Sequence, residues 1–315
     1  MIEVYALYYN HFSKMKTYIE EIAEETYRLE THIPGLNPIF SVYFIKDQIS
    51  VLIEPGPAAI IPAIQRAAKD LGLENLGYII PTHIHLDHAG AMGSLLQVFP
   101  QAKGVVNPRA VEHVVDPTRL IKSTGMAFGD DFESVYGKII PVPHSRLKIV
   151  QDNDRIVVGS RELIFIHTPG HAPHHIAIFD TKTRGLFCGE ALGLIYSPGT
   201  PPLPAVAPPS FDPDIYLDNM RQLQKLQPKL LFYSHGGVGK ESAKLISIAI
   251  ENTKIIGDAI LRAYKLETSE NIIIQNIGDS INNRFGFRLD DYELSSNVRA
   301  YLHYYQKKAI GKQSP

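Results

Sequence analysis

The chain has 315 residues, 44% of them hydrophobic, so it can form one large domain or two and bury a sizeable core. Its 31 basic and 33 acidic side chains give a formal net charge of −2, which argues against a surface built to bind nucleic acid. The single cysteine, Cys188, excludes an intramolecular disulfide framework and cysteine-based zinc sites. No apolar run is long enough to cross a bilayer and Glu3 stands where a signal peptide carries positive charge, so we expect a cytoplasmic protein with no membrane partner.

The first third of the chain predicts strands followed by alternating helices and strands. Residues 1–17 are interpreted as an N-terminal extension. Three β-branched or aromatic segments predict strands, the last two forming a hairpin around a polar turn: 26–30, 41–45 and 49–53. Apolar residues then repeat at helical spacing from Ile60 to Leu71, and Gly72 stands where a C-cap belongs.

The middle of the chain combines short strands with two irregular segments. Residues 118–137 carry scattered glycines and an acidic pair and are interpreted as an irregular, mobile insertion. Strands are predicted at 78–81, 148–150, 155–158, 162–167, 175–179 and 185–188. Seven prolines exclude a helix or a central strand from 197–213, which is either a surface loop or the wall of a site.

The last quarter predicts helices. Apolar residues recur at helical spacing in three stripes: Leu245, Ala249, Ile256, Ile260 and Ala263; Ile273, Ile277 and Ile281; Leu294, Val298, Leu302 and Tyr305. We therefore divide the chain into a domain at 1–240 and a C-terminal helical region at 241–315. These helices suit capping of the domain or a homodimer contact, and a DNA-binding helix-turn-helix regulator is the non-enzymatic alternative.

The chemistry is concentrated in His83-x-His85-x-Asp87-His88, which offers four ligands within six residues between a buried strand and a helix. Imidazole and carboxylate ligands suit zinc and also iron or manganese. An extended chain puts residues 83, 85 and 87 on one face and a turn brings 88 around, so the segment can serve two neighbouring ions. Three candidates for the remaining ligands each follow a later predicted strand: His171, Glu190 and His235.

The segments THIHLDHAG, TPGHAPHH, CGEALG and SHGG, in this order, resemble the metallo-β-lactamase-fold hydrolase superfamily, which includes glyoxalase II-type thioesterases and uncharacterised prokaryotic hydrolases. The resemblance implies an α+β fold, a four-layer αβ/βα sandwich, here with a C-terminal helical extension. It also implies two divalent metal ions, with zinc expected and iron or manganese as alternatives. The implied ligands are His83, His85 and His171 for the first ion and Asp87, His88 and His235 for the second.

Two residues depart from the family pattern. Glu190 stands where the family usually has a metal-bridging aspartate, and Glu54 replaces the acidic residue of a DTG-like turn. We expect Glu190 still to reach both ions, because a negative charge between two cations offsets their repulsion. The longer side chain should lie closer to one ion and leave the second site weaker.

The expected activity is hydrolysis of a small ester, thioester or lactone by a metal-bound hydroxide, with Asp87 as the catalytic residue that orients it. The alternatives are a phosphodiesterase or nuclease and a mono-iron enzyme similar to persulfide dioxygenases. A small-molecule substrate is the expected partner. His174 and His175 are interpreted as support for the ligand loop, and Cys188 as a buried packing residue.

Overall fold

The computed structural model describes residues 18–31, 40–73, 75–129 and 132–311, and the extension interpreted at 1–17 lies outside them. The first sheet has seven strands in chain order: β1 Tyr18–Ala23, β2 Thr26–Thr31, β3 Phe40–Ile45, β4 Ser50–Ile53, β5 Leu76–Ile80, β6 Lys103–Val106 and β7 Leu147–Ile149. Neighbouring strands are antiparallel from β1 to β4 and parallel from β4 to β7.

The second sheet has six strands in the order β13-β12-β11-β10-β9-β8. Their bounds are β8 Arg155–Val157, β9 Glu162–His167, β10 Ile176–Asp180, β11 Gly185–Gly189, β12 Leu230–Tyr233 and β13 Val238–Gly239. Only the β11–β12 pair is parallel, so both sheets are mixed.

Ten α-helices accompany the sheets in the described part of the chain. They are α1 Ile61–Asp70, α2 Leu86–Ala89, α3 Met92–Val98, α4 Val111–Val115, α5 Thr118–Phe128, α6 Phe132–Tyr136, α7 Pro213–Lys225, α8 Ser242–Lys265, α9 Glu270–Phe285 and α10 Asp291–Gly311. None of these helices is both long and apolar enough to cross a membrane.

Three apolar clusters separate four layers of structure. Strand β3 is buried on both faces: Val42 and Phe44 pack with α1 and α3, whereas Tyr43 and Ile45 face the second sheet. This division follows from the alternation of side chains along a strand. A third cluster joins the other face of the second sheet to α7 and the three C-terminal helices. The expected α+β four-layer sandwich with a C-terminal helical extension is therefore confirmed.

The expectation of an irregular insertion at 118–137 is wrong for the residues that are described there. They form α5 and α6, and α5 is followed by Gly129, where φ is +90°. Phe132 and Tyr136 pack against Leu86 in a small apolar cluster with side chains from α5. This long-range contact stabilises helices that the glycine-rich sequence does not predict by itself.

Candidate metal centre

The ligand segment is a strand-to-helix junction that folds into a tight turn. Strand β5 ends at Ile80, and α2 begins at Leu86. The backbone N–H groups of His88 and Ala89 both donate to the His85 carbonyl, at 3.0 and 2.9 Å. This turn brings the side chains at 87 and 88 to the same end of the sandwich as those at 83 and 85.

Four side chains converge in the first ligand group: His83, His85, His171 and Glu190. His83 Nε2 lies 2.8 Å from His85 Nδ1 and 3.2 Å from His171 Nε2. Glu190 Oε2 lies 2.7 Å from His171 Nε2 and 3.2 Å from His83 Nε2. Ligands about 2.0–2.1 Å from a tetrahedral ion lie about 3.3 Å apart, so this group fits a zinc-sized cation.

The second group consists of Asp87, His88 and His235. Asp87 Oδ2 lies 3.3 Å from both His88 Nε2 and His235 Nε2. The His88 Nε2 atom is buried and has no hydrogen-bond partner among the described residues. Because a buried polar atom without a partner destabilises a protein, this nitrogen fits a ligand position for a second cation.

Glu190 lies at the boundary between the two groups but closer to the first. Its Oε2 is 3.8 Å from His88 Nε2, and its Oε1 is 3.9 Å from His235 Nε2. These distances exceed those to His83 and His171. The Glu190 carboxylate therefore lies closer to the first ligand group than to the second, and its contacts with ions remain a prediction.

Hydrogen bonds to the second ring nitrogens orient several ligands. His88 Nδ1 lies 2.7 Å from Glu54 Oε2, and Glu54 is buried and also accepts from the Thr82 N–H at 3.2 Å. His171 Nδ1 donates to the Ala205 carbonyl in the proline-rich segment, at 3.2 Å. These contacts leave the Nε2 lone pairs directed into the site, which is how metal-binding histidines are commonly held.

His175 fixes the backbone beside Glu190. Its Nδ1 lies 2.7 Å from Thr168 Oγ1, and its Nε2 accepts the Glu190 N–H at 3.1 Å. The interpretation of His175 as support for the ligands is confirmed. His174 stacks on His83 with ring centroids 6.2 Å apart. Cys188 is completely buried, its Sγ lies 3.4 Å from the Phe232 carbonyl, and burial raises the pKa of its thiol, so it is a packing residue as predicted.

The surroundings of the site lower the pKa values of its carboxyl groups and shift those of His83 and His88 in opposite directions. Burial and the neighbouring imidazoles hold the pKa of His83 well below its ordinary value. Burial alone would raise the pKa of Glu190, but the imidazoles of His171, His88 and His235 outweigh it and lower the pKa. Burial by itself would lower the pKa of His88. The carboxylates of Asp87 and Glu54 outweigh this effect and raise the pKa well above its ordinary value. A divalent cation would replace that proton, because a metal-binding imidazole must be neutral.

The site opens on the side of Asp87. The His83 and His88 side chains are completely buried, whereas the Asp87 side chain is 28% exposed. His85 is also partly exposed. A substrate must therefore approach past Asp87 and His85.

All seven sequence-predicted ligand residues are brought together in these two groups. The supporting carbonyl of Ala205 was not predicted, because a backbone group carries no residue signature. The Tyr196 hydroxyl donates to Glu293 Oε2 at 3.1 Å. Glu293 belongs to no motif and lies 97 residues along the chain, so no local signal could have found it.

Comparison with known proteins agrees with this fold and site. A family model described as the metallo-beta-lactamase superfamily matches residues 35–235, almost two thirds of the sequence. The chain belongs to this superfamily. Together with the hydrolases among its relatives, this membership identifies it as a hydrolase.

Individual relatives are distant. The chain is 27% identical over 196 residues to the metallo-beta-lactamase fold-containing protein ST1585 of Sulfurisphaera tokodaii, covering 61% of this chain and 70% of that protein. It is 28% identical over 162 residues to the hydroxyacylglutathione hydrolase of Aeromonas hydrophila, covering 51% of this chain and 49% of that protein. The solved structure of ST1585 superposes with a TM-score of 0.63 at 24% identity, covering 86% of this chain and 97% of that one, which supports the fold alone.

Proposed function

We propose that this hydrolase holds two divalent metal ions, with zinc as the first choice, and cleaves a small ester, thioester or lactone. The observation that carries the proposal is the pair of adjacent ligand groups with Glu190 at their boundary. His83, His85 and His171 would hold one ion, and Asp87, His88 and His235 the other.

Bound divalent ions supply two kinds of chemistry here: they polarise a carbonyl oxygen and lower the pKa of water. The chain's own residues position the reactants. Asp87 is partly exposed on the open side, where its carboxylate can accept a hydrogen bond from the attacking water and orient it. Glu54, Ala205 and His175 hold the ligands so that little reorganisation is needed.

Two observations favour a carbonyl substrate: the activities named for related proteins and the small net charge of this chain. The relatives include a hydroxyacylglutathione hydrolase and the acyl-coenzyme A thioesterase MBLAC2 of Homo sapiens, 27% identical over 144 residues and covering 45% of that protein. The balanced charge of −2 does not favour a nucleic-acid substrate. The lone, buried cysteine suits a reducing cytoplasmic location.

The test combines metal analysis with a substrate panel. Zinc-loaded protein is assayed with an ester, a thioester, a lactone and a phosphodiester, and oxygen consumption is followed with iron-loaded protein. We expect hydrolysis of a carbonyl substrate that chelation abolishes and zinc restores. Asp87→Asn should lower kcat at least about 100-fold, whereas Asp218→Asn, an equal change on the exposed face of α7, should not. Cleavage of the phosphodiester alone, or oxygen consumption with one iron, would contradict the proposal.

A further inference from the structure

The phenyl ring of Phe40 contacts two histidines of the second ligand group. Its centroid lies 5.5 Å from that of the His88 ring and 5.2 Å from that of the His235 ring. The ring planes are inclined to each other by 78° and 71°, so both contacts have the edge-to-face geometry that aromatic pairs prefer. One apolar side chain thus packs against two of the three ligands of that group.

The backbone fixes the Phe40 ring next to His235. Phe40 begins β3 and pairs with His235 in an isolated antiparallel bridge, which places the two side chains opposite each other. The N–H of Ser41 donates to the Ser234 carbonyl at 2.8 Å and ties the start of β3 to the segment after β12. Because Phe40 is only 3% exposed, its side chain has little freedom to leave this contact.

The turn after β4 leaves room for the same ring and holds His88. A Cβ atom on Gly56 would lie 3.0 Å from Phe40 Cε1, so a side chain there would press on the ring. The Gly56 N–H donates to the His88 carbonyl at 3.0 Å, and Glu54 of the same turn contacts His88 Nδ1. The turn at 54–56, the Phe40 ring and the second ligand group therefore pack as one unit.

His235 depends on the Phe40 ring for its orientation. The second ring nitrogens of His88 and His171 have hydrogen-bond partners, at 2.7 and 3.2 Å. By contrast, His235 Nδ1 is buried and has no hydrogen-bond partner among the described residues. Metal-binding imidazoles are usually oriented by such a partner, so at His235 packing against Phe40 takes over this role.

We infer that Phe40 is a positioning residue of the second metal site, which orients the imidazoles of His88 and His235 for one ion. This inference rests on the proposed function, since it concerns the second ion of the same site. Rings that are already oriented lose less rotational freedom when an ion binds, so the ion is bound more tightly. Removing the phenyl ring should weaken the second site and leave the first unchanged.

Zinc affinity tests this role. Chelator-treated protein is titrated with zinc against a competing chelator, with His83→Ala retaining the second site and His88→Ala the first. Adding Phe40→Leu should raise the zinc dissociation constant about tenfold in His83→Ala and leave it unchanged in His88→Ala. The matched control is Phe44→Leu, on the same strand and in the same apolar cluster, which should change neither constant. Urea unfolding verifies that the two leucine substitutions destabilise the fold similarly.

Nuclear Overhauser contacts test the packing without any substitution. In the wild type, the ring protons of Phe40 should show contacts with ring protons of both His88 and His235. Absence of these contacts, an unchanged second site in Phe40→Leu, or equal weakening of both sites would overturn the inference and leave the proposed function intact. A wild type that binds a single zinc ion would overturn the proposed function and the inference with it.

Discussion

At the residue scale, the backbone conformation of Gly189 determines the position of the Glu190 side chain. Its φ is +53°, a conformation that side chains rarely allow. A Cβ atom there would lie 2.5 Å from Thr82 Oγ1 and 2.6 Å from His175 Nε2. Thr82 Oγ1 contacts His83 Nδ1, and His175 Nε2 accepts the Glu190 N–H. The backbone at residue 189 therefore lies too close to these two supporting groups to leave room for a side chain.

Replacing Gly189 by alanine should therefore weaken metal binding. We expect a loss of about 1–3 kcal/mol in the free energy of unfolding and a lower zinc content, because His175 must move away from Glu190. Urea unfolding and metal analysis measure the two effects. The control is Gly199→Ala, which has a φ of +85° but no atom within 4 Å of the new Cβ. Equal zinc content in the two variants would contradict this role of Gly189.

Glu293 should make stability depend on pH in metal-free protein. Its pKa is raised from an ordinary value near 4.5 to about 7, chiefly by burial, so the folded state retains a proton that the unfolded state releases between these values. The free energy of unfolding should therefore fall as pH rises through this range. In Glu293→Gln this contribution is absent, so the variant should gain about 1–3 kcal/mol relative to wild type between pH 5 and pH 8. If the difference in free energy of unfolding between Glu293→Gln and the wild type, measured by urea unfolding, did not change with pH, the expectation would be contradicted.

At the scale of elements, what could be predicted from the sequence was local. The β-branched and aromatic residues of β3 and β4 and the polar turn between them predicted their hairpin, and the spacing of residues 83–88 predicted ligands for two neighbouring ions. The helices α5 and α6 could not be predicted, because α5 contains Gly125, α6 has only five residues, and the apolar cluster that holds them includes Leu86 from a distant segment. The position of Glu293 depends on how α10 packs, which no local pattern contains.

The contact of α6 with Leu86 gives a prediction for these helices. Phe132 is 7% exposed and packs in the cluster with Leu86 and Tyr136. Phe132→Ala should lower the free energy of unfolding by about 3 kcal/mol and accelerate hydrogen exchange in α5 and α6. Met126→Ala, at a 75% exposed position of α5, is the control. Indistinguishable exchange in the two variants would show that the cluster does not hold the segment.

At the scale of the whole molecule, the C-terminal helices share a core with the second sheet. Leu186 and Leu231 of the sheet belong to the same buried cluster as Ile246, Ile277 and Val298 of α8, α9 and α10. Glu293 of α10 accepts a hydrogen bond from Tyr196, which follows β11 of the second sheet in the chain. The division into a domain at 1–240 and a helical region at 241–315 remains a prediction. Because the two parts share this core, we expect the first part to need the second in order to fold stably.

Truncation after residue 240 should therefore expose this cluster and prevent stable folding. We expect one cooperative thermal transition for the full chain and none for residues 1–240, because the truncated protein loses the apolar partners of α7 and the second sheet. Calorimetry and near-UV circular dichroism measure this. A truncated chain that unfolds cooperatively at the temperature of the full protein would show that the two parts fold independently.

Zinc stoichiometry tests the two-metal account most directly. Chelator-treated protein is reloaded with zinc, freed of excess metal, and analysed for zinc per chain in the wild type, His83→Ala, His88→Ala and the exposed control His303→Ala. We predict two zinc ions in the wild type and control, and one in each ligand variant, because His83 and His88 belong to different ligand groups. A wild type that holds a single ion, or ligand variants that both retain two, would contradict the account.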